Sequence, residues 1–282
     1  MGPCGAGVAN FYGQLGDGTL IDRSVPVRVL NLTGVRQVSA GSLDSCAVRS
    51  NGTAWCWGLG ESGQLGDGKS MSSSKPVRVA HLTGAVQVAA AYYATCARRS
   101  DGGVRCWGSG GQGVLGDGRQ DVHLFPVAVK GLPGPVTQLQ AGPFNVCALR
   151  TDRSVWCWGD NQVGEIGDGT TVNRLVATRT LMTPSFGVKV GFYYTCARTQ
   201  VRTVKCWGYD NYGQLGNGVI TLDSLTPVAV VDLADVASLT LGYSHACAVL
   251  RDGTMRCWGW NAWGQLGNGT TQDSSVPVPV LT

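Results

Sequence analysis

The segment CAVRSNGTAWCWG at residues 46–58, followed by GQLGDG at residues 63–68, decides the fold because it recurs along the chain. Its first cysteine returns at intervals of 50, 51, 49 and 51 residues, and a second cysteine follows ten residues after each copy. The second cysteine always begins Cys-Trp-Gly, and a glycine-rich loop starts seven residues later. A self-similar period of about 50 residues indicates a repeat architecture.

Each repeat contains four short apolar segments that we interpret as strands. A Pro-Val segment such as residues 25–29 forms the first, and an alternating segment at residues 35–41 forms the second. The third begins at the first cysteine and the fourth ends at Cys-Trp-Gly, with a turn such as Ser50-Asn51-Gly52 between them. Four-stranded units of this length predict an all-β propeller, because each sheet buries both faces only against its neighbours.

The blade number follows from the count of repeats. Five cysteine hairpins are complete, which predicts five full blades plus a half-repeat, with six blades or a piece of a larger propeller as alternatives. The chain is expected to form one domain, residues 1–282, with repeats at 13–62, 63–112, 113–163, 164–212 and 213–263, and a partial repeat that joins 264–282 to 1–12.

The combination of Gly-Gln-Leu-Gly-Asp-Gly, the Pro-Val strand and Cys-Trp-Gly resembles the repeat of the regulator of chromosome condensation family, in particular its bacterial, cysteine-paired variety. The resemblance covers nearly the whole chain and implies a β-propeller. It leaves function open, since that family includes a nuclear exchange factor, a plant ultraviolet photoreceptor and a secreted inhibitor of β-lactamase on one scaffold.

Composition excludes several classes of protein. Glycine accounts for 42 of 282 residues and charged residues for only 14%, so the chain has little material for exposed helix faces. The net charge of +4 is small and scattered, which argues against nucleic acid as a partner. We also expect no membrane span, because the chain contains no run of about 18 apolar residues.

The ten repeated cysteines have the spacing of partners in a β-hairpin. With a three-residue turn centred on Asn51, residue 46 lies opposite residue 56, within reach of a disulfide bond. The expected pairs are Cys46–Cys56, Cys96–Cys106, Cys147–Cys157, Cys196–Cys206 and Cys247–Cys257, with reduced core cysteines as the alternative. Disulfides imply an oxidising compartment, hence a secreted or cell-surface protein. Cys4 has no partner in this scheme, and no Cys-x-x-Cys pair suggests a metal.

Other motifs favour structural interpretations. The Gly-x-x-Gly-Asp/Asn-Gly loops are typical of tight turns rather than of phosphate or calcium sites. The five Cys-Trp-Gly tryptophans recur once per blade, which predicts packing between blades. A photoreceptor resemblance would require tryptophans before the third strand, and the chain has none there.

We predict no cofactor and no enzyme activity, since the three histidines occupy unrelated repeat positions and no Ser/His/Asp spacing stands out.

The segments between the second and third strands vary while the scaffold around them repeats. They span residues 42–45, 92–95, 143–146, 192–195 and 243–246, and we call them the aromatic loops. Symmetry places all five on one face near the central axis. Their candidate binding residues are Tyr92, Tyr93, Phe144, Phe192, Tyr193, Tyr194, Tyr243 and His245. These rings either cap the blade ends or form a contact surface.

The sequence therefore favours a secreted, non-enzymatic binding propeller that recognises a protein through this face. An inhibitor of a secreted enzyme is one concrete version. A carbohydrate-binding propeller is the alternative, because tyrosine faces also stack on sugar rings, and an enzyme with a site on the propeller face is a further one.

Overall fold

The computed structural model describes residues 5–6, 9–220 and 222–281, and these residues form an almost entirely β structure. Strands β1 (Gly5–Ala6) and β2 (Val27–Arg28) form a short antiparallel pair. The one helical turn in the described part of the chain covers Gly111–Gly113. The prediction of an all-β fold is confirmed.

Five antiparallel sheets follow, each made of four strands in chain order. This arrangement confirms the predicted five units with a partial one. The strands are β3 (Val35–Ala40), β4 (Asp44–Arg49), β5 (Ala54–Gly58) and β6 (Ser73–Arg78); β7 (Ala85–Ala90), β8 (Ala94–Arg99), β9 (Val104–Gly108) and β10 (His123–Ala128); β11 (Val136–Ala141), β12 (Asn145–Arg150), β13 (Val155–Gly159) and β14 (Arg174–Arg179); β15 (Ser185–Val190), β16 (Tyr194–Thr199), β17 (Val204–Gly208) and β18 (Ser224–Ala229); β19 (Val236–Leu241), β20 (His245–Leu250), β21 (Met255–Gly259) and β22 (Ser274–Pro279).

The Pro-Val strand occupies a different place in the sheet from the one the sequence suggested. It does not open a unit; in β6 it pairs with β5, so that Val77 lies opposite Cys56, and it is the last strand of the preceding sheet. A periodic sequence specifies the spacing of strands but not which repeat supplies each strand of a sheet. A proline is tolerated there because the strand lies at the sheet edge, where a missing N–H breaks no ladder.

The chain divides into two compact units. The first unit comprises Met1–Phe144 with Leu175–Ala177, and the second comprises Asn145–Arg174 with Thr178–Thr282. In the first unit, the Gln87 side chain donates to the Leu139 carbonyl at 2.7 Å and accepts from its N–H at 3.0 Å. Gln37 makes the same pair of bonds to Val88. The first strands of successive sheets therefore lie side by side.

The Cys-Trp-Gly tryptophans join neighbouring repeats, as the sequence predicted. In the first unit, the Trp107 indole N–H donates to the Gln64 carbonyl at 2.8 Å. In the second unit, Trp258 donates to Gln214 at 2.9 Å. Both indoles are completely buried, so each bond satisfies a polar group that would otherwise be orphaned in the core.

The five predicted cysteine pairs form disulfides across the hairpins. Cys46 lies opposite Cys56 in the β4–β5 register, and the Cα atoms of the five pairs are 4.0–4.1 Å apart. The prediction for Cys4 concerns a residue outside the described part of the chain. No helix in the described residues is long and apolar enough to cross a membrane, and they contain no cluster of three metal-ligating side chains.

Candidate functional site

Strand direction places two sets of loops at one end of each sheet. The aromatic loops lead into β4, β8, β12, β16 and β20, and the long loops start where β5, β9, β13, β17 and β21 end. Because these strands are antiparallel neighbours, both sets leave the same end. The long loops span residues 59–72, 109–122, 160–173, 209–223 and 260–273.

In the first unit, three predicted aromatic residues form one cluster. The ring centroids of Tyr92 and Tyr93 are 4.4 Å apart in an edge-to-face arrangement. Tyr92 and Phe144 are stacked at 6.0 Å, and the Tyr92 N–H donates to the Pro143 carbonyl at 3.3 Å. Tyr93 is 41% exposed, whereas Tyr92 and Phe144 are half-buried. The cluster therefore presents Tyr93 to solvent on a support of two fixed rings.

In the second unit, residues of the aromatic loops form a tighter cluster. Phe192 and Tyr243 are stacked with centroids 4.0 Å apart, and Tyr193 meets Phe192 edge-on at 4.5 Å. Tyr243 is 58% exposed, while Phe192 and Tyr193 are half-buried. Tyr193 has a φ of 63°, a left-handed conformation that a bulky residue adopts only where its surroundings impose it. Its carbonyl accepts the Tyr209 N–H at 2.9 Å, which ties the aromatic loop to the long loop.

Of the two other predicted site residues, Tyr194 lies beneath the surface and His245 is half-buried. Tyr194 is completely buried, and its hydroxyl donates to the main-chain carbonyl of His245. Burial raises the pKa of Tyr194 well above its usual range, so the hydroxyl stays a donor at physiological pH. His245 is half-buried, and burial lowers its pKa, which favours the neutral imidazole. Tyr194 therefore supports the face from below and does not reach solvent.

The second unit also carries exposed aromatic residues that the sequence reasoning did not assign to the site. Tyr212 lies 6.2 Å from Tyr209 and 6.0 Å from Trp260, measured between ring centroids. Trp263 is 83% exposed. The Trp260 N–H donates to the Ser244 carbonyl at 2.8 Å, so these rings stand beside the aromatic loop that contains Tyr243. The glycine-rich motifs of the long loops are typical of tight turns, and their aromatic residues occur in only some repeats, so the sequence pattern alone does not indicate a site there.

Buried carboxyl groups lie in these loops or at their ends. Burial raises the pKa of Glu165 to about 7, and it raises the pKa of Asp210 to about 7. Asp44, at the start of β4, has its pKa raised well above the usual range for the same reason. Shifted carboxyl pKa values also occur in catalytic acids.

Two of these acids occupy positions where other repeats have an amide side chain, so they have a structural role that requires no catalysis. Glu165 accepts the Val163 N–H at 3.1 Å, as Gln64 accepts the Ser62 N–H at 3.0 Å in an earlier repeat. Asp210 accepts the Leu215 N–H at 3.0 Å, at a position where three other repeats have asparagine making the same bond: Asn10, Asn161 and Asn261. Each acid thus replaces an amide in a structural loop.

The sequence matches a known protein family. The family model described as the RCC1-like domain matches residues 9–282. The chain belongs to the RCC1-like family. Its resemblance to the condensation-regulator repeat is thereby confirmed.

Proteins similar to this RCC1-like chain include a plant photoreceptor and a human protein. It is 29% identical over 149 residues to the ultraviolet-B receptor UVR8 of Arabidopsis thaliana, a match that covers 51% of this chain and 34% of that protein. The chain thus aligns with about a third of that relative. Human WBSCR16 has a similar structure, with a TM-score of 0.86, 24% identity, and coverage of 97% of this chain and 75% of that one.

Two further solved structures share the fold. Yeast RCC1 (Prp20), solved bound to Kap60, matches with a TM-score of 0.68 and 16% identity, covering 99% of this chain and 84% of that one. The ectodomain of the Arabidopsis thaliana receptor kinase ACR4 matches with a TM-score of 0.53 and 18% identity, covering 90% and 71%. At these identities the likeness establishes the propeller fold alone.

Proposed function

We propose that this RCC1-like protein is a non-enzymatic propeller that binds a partner protein through its aromatic loops. The observation that carries the proposal is the presentation of Tyr93 and Tyr243 to solvent, each held by neighbouring rings. Rigid, exposed aromatic residues lose little conformational entropy when they are buried at an interface, and they are enriched among the residues that dominate binding energy.

The compartment we propose is oxidising, so that the protein is secreted or displayed at the cell surface. Five disulfides support this, because thiols in the cytosol are kept reduced. Two solved structures with this fold support the two parts of the proposal. The ACR4 structure is of a receptor kinase ectodomain, and the yeast RCC1 structure was solved with a protein partner.

An inhibitor of a secreted enzyme is one form of this proposal. A propeller that covers an enzyme's active site with its aromatic loops would block the entry of substrate without any chemistry of its own. Adding purified propeller to the captured enzyme tests this form directly, because inhibition must saturate at a fixed molar ratio.

The test of binding is capture from the extracellular fraction of the source organism, followed by calorimetry with the purified partner. Tyr93→Ala and Tyr243→Ala should each weaken binding by about 1–2 kcal/mol or more, as truncation of an interface aromatic usually does. Their melting temperatures should stay near that of the wild type, because an exposed ring contributes little to the core.

Asp101→Ala provides the control. Asp101 accepts the Gly103 N–H at 2.9 Å in the β8–β9 hairpin turn, at the end of the sheet opposite the aromatic loops, so its loss should lower stability without changing affinity. Unchanged binding by both tyrosine variants, together with a fall of several degrees in melting temperature, would show that these rings only cap the blade ends. A glycan array that binds the wild type but not the variants, with no protein captured, would favour a carbohydrate ligand instead.

A further inference from the structure

Charge is distributed unevenly in the second unit. Its aromatic and long loops contain six carboxyl residues and no lysine or arginine, while Arg174, the first residue of β14, is paired with Asp168. The nine other lysines and arginines of this unit lie outside these loops, with four carboxyl residues. The six acids of the loop end are Asp160, Glu165, Asp168, Asp210, Asp223 and Asp273.

Two of these acids are buried without complete hydrogen bonding. One carboxyl oxygen of Glu165 and one of Asp210 find no hydrogen-bond partner among the described residues. Both side chains are at most 1% exposed. Because burial raises the pKa of both groups to about 7, they carry a partial negative charge near neutral pH, and a cation brought near this end would favour their ionised forms.

Exposed aromatic rings stand at the same end. Trp263, Tyr243 and Tyr212 are 83%, 58% and 36% exposed, and Trp260 lies 6.0 Å from Tyr212. Indole and phenol faces attract guanidinium and ammonium groups, and tryptophan does so most strongly. Carboxylates close to such rings add a longer-range attraction for the same cations.

We infer that the loop end of the second unit binds a basic protein segment, whose arginine or lysine side chains lie against Trp263, Tyr212 and Tyr243. The inference rests on the proposed function and specifies the chemistry of the partner. Opposite charge brings the segment to this end, and the rings hold its cationic side chains.

Another repeat of this chain has asparagine where two of these acids stand, so their charge can be removed without disturbing the fold. The Asp273 carboxylate accepts the Asn261 N–H at 2.7 Å, and Asn173 makes the equivalent bond to Asn161 at 2.9 Å in another repeat. The Asp223 carboxylate accepts the Asp210 N–H in the same way. Asparagine is thus structurally acceptable at this position, and the double variant Asp223→Asn/Asp273→Asn removes two charges from the loop end.

A matched control lies at the opposite end of the same unit. Asp152 and Asp252 cap the hairpin turns, where they accept the N–H groups of Ser154 and Thr254. Asn51 makes the equivalent bond to Thr53 in the first hairpin. The variant Asp152→Asn/Asp252→Asn therefore changes the net charge by the same amount, at the end of the sheets opposite Trp263, Tyr212 and Tyr243.

The experiment uses the intact, oxidised protein and fluorescein-labelled glycine-serine peptides that carry several arginines or, as a neutral isostere, several citrullines. Fluorescence anisotropy at about 50 mM NaCl should show the arginine peptide binding at least about fivefold more tightly, an advantage that shrinks at about 300 mM NaCl. Asp223→Asn/Asp273→Asn and Trp263→Ala should each weaken binding about threefold or more, while Asp152→Asn/Asp252→Asn should leave it unchanged.

Equal binding of the arginine and citrulline peptides would overturn the inference, as would equal weakening by the two double variants. Neither result affects the proposed function if Tyr93→Ala and Tyr243→Ala still lose the captured protein. Conversely, retention of the captured protein by both tyrosine variants would contradict the proposed function even if the arginine peptide binds to the loop end as expected.

Discussion

The hydroxyl of Tyr194 donates a hydrogen bond to the main-chain carbonyl of His245, the residue that starts the corresponding strand of the next sheet. The Tyr194 ring lies directly over Gly191, where an added Cβ would come within 2.3 Å of the ring. A residue that the sequence assigns to the binding surface thus joins two sheets of the second unit from within.

Tyr194→Phe should lower stability without changing recognition. The variant keeps the ring but removes the buried hydroxyl, and the His245 carbonyl then keeps only the Gly242 N–H as a donor, so we expect a loss of about 0.5–1.5 kcal/mol. Guanidinium chloride unfolding measures this loss. Tyr243→Phe serves as the control, because Tyr243 is exposed and loses no buried hydrogen bond. Equal stability of the two variants would contradict the role given to Tyr194.

Asp210→Asn should stabilise the protein, increasingly so as the pH rises. At the equivalent position, the Asn10 amide donates to the carbonyls of Thr19 and Ile21 at 3.0 and 3.2 Å. Asp210 can make such a donation only when it is protonated, and its pKa of about 7 means that the folded state favours that form.

The direction of the pH dependence follows from this raised pKa. The unfolded carboxyl has a pKa of about 3.9, so the folded state binds the proton more tightly, and its stability falls as the pH rises from about 4 to about 7. We expect Asp210→Asn to gain about 1–3 kcal/mol at about pH 8 and almost nothing near pH 4.

Unfolding measured across this pH range checks the prediction, and Asn161→Asp is the reverse control. Asn161 donates to the carbonyls of Thr170 and Val172, so placing a carboxylate there should reproduce the loss of stability at neutral pH. A pH-independent effect of Asp210→Asn would indicate that its carboxyl does not titrate in this window.

Reduction of the disulfides should lower the melting temperature without abolishing the β structure at room temperature. Each bridge closes a loop within one hairpin, which contributes about 2–3 kcal/mol in the chain-entropy model. The pairing it reinforces is already specified by the turn, where the Arg49 N–H donates to the Thr53 carbonyl at 2.9 Å.

Far-UV circular dichroism with and without reductant measures both quantities. Thiol titration of the denatured, unreduced protein is the accompanying control, because the ten paired cysteines should remain unreactive. Loss of the β signal at room temperature on reduction would show that the bridges do more than reinforce the hairpins.

The hairpin core of each repeat was predictable because its signals are local. Cys46 faces Cys56 through a three-residue turn, and Gly52 adopts the positive φ of 77° that such a turn requires. The prediction that the Pro-Val segment is the first strand of its own sheet is wrong, because it is the last strand of the preceding sheet. Val77 pairs with Cys56 only after a long loop, and the repeat period does not specify the path of that loop.

The candidate site was predicted in outline but not in depth. Symmetry led to the segments that contain Tyr93 and Tyr243, both of which are exposed. It could not separate these from Tyr194, since the direction of a side chain at a strand start depends on the adjacent glycine and on the next sheet. Trp263 was not assigned to the site because its position is aromatic in only some repeats, as at Tyr12 and Tyr212, and the sequence pattern does not show which of these rings reach solvent.

In the loop GQLGDG at residues 63–68, the fourth residue is glycine because the tryptophan of the next repeat leaves no room for a side chain. A Cβ added to Gly66 would lie 2.6 Å from the Trp107 indole nitrogen, whose N–H donates to the Gln64 carbonyl in the same loop. Gly66 has a φ of +69°, so a side chain there is strained by the backbone as well as by contact.

Comparison of Gly66→Ala with Gly253→Ala separates these two causes. Gly253 has a φ of +87°, yet nothing lies within 4 Å of an added Cβ, so its substitution carries only the backbone cost of about 1 kcal/mol. Gly66→Ala carries this cost and also displaces a completely buried indole, for which we expect a total loss above about 3 kcal/mol. Unfolding of both variants in guanidinium chloride provides the comparison. Equal losses would mean that the conformation of the turn, and not the packing of Trp107, makes glycine necessary in this loop.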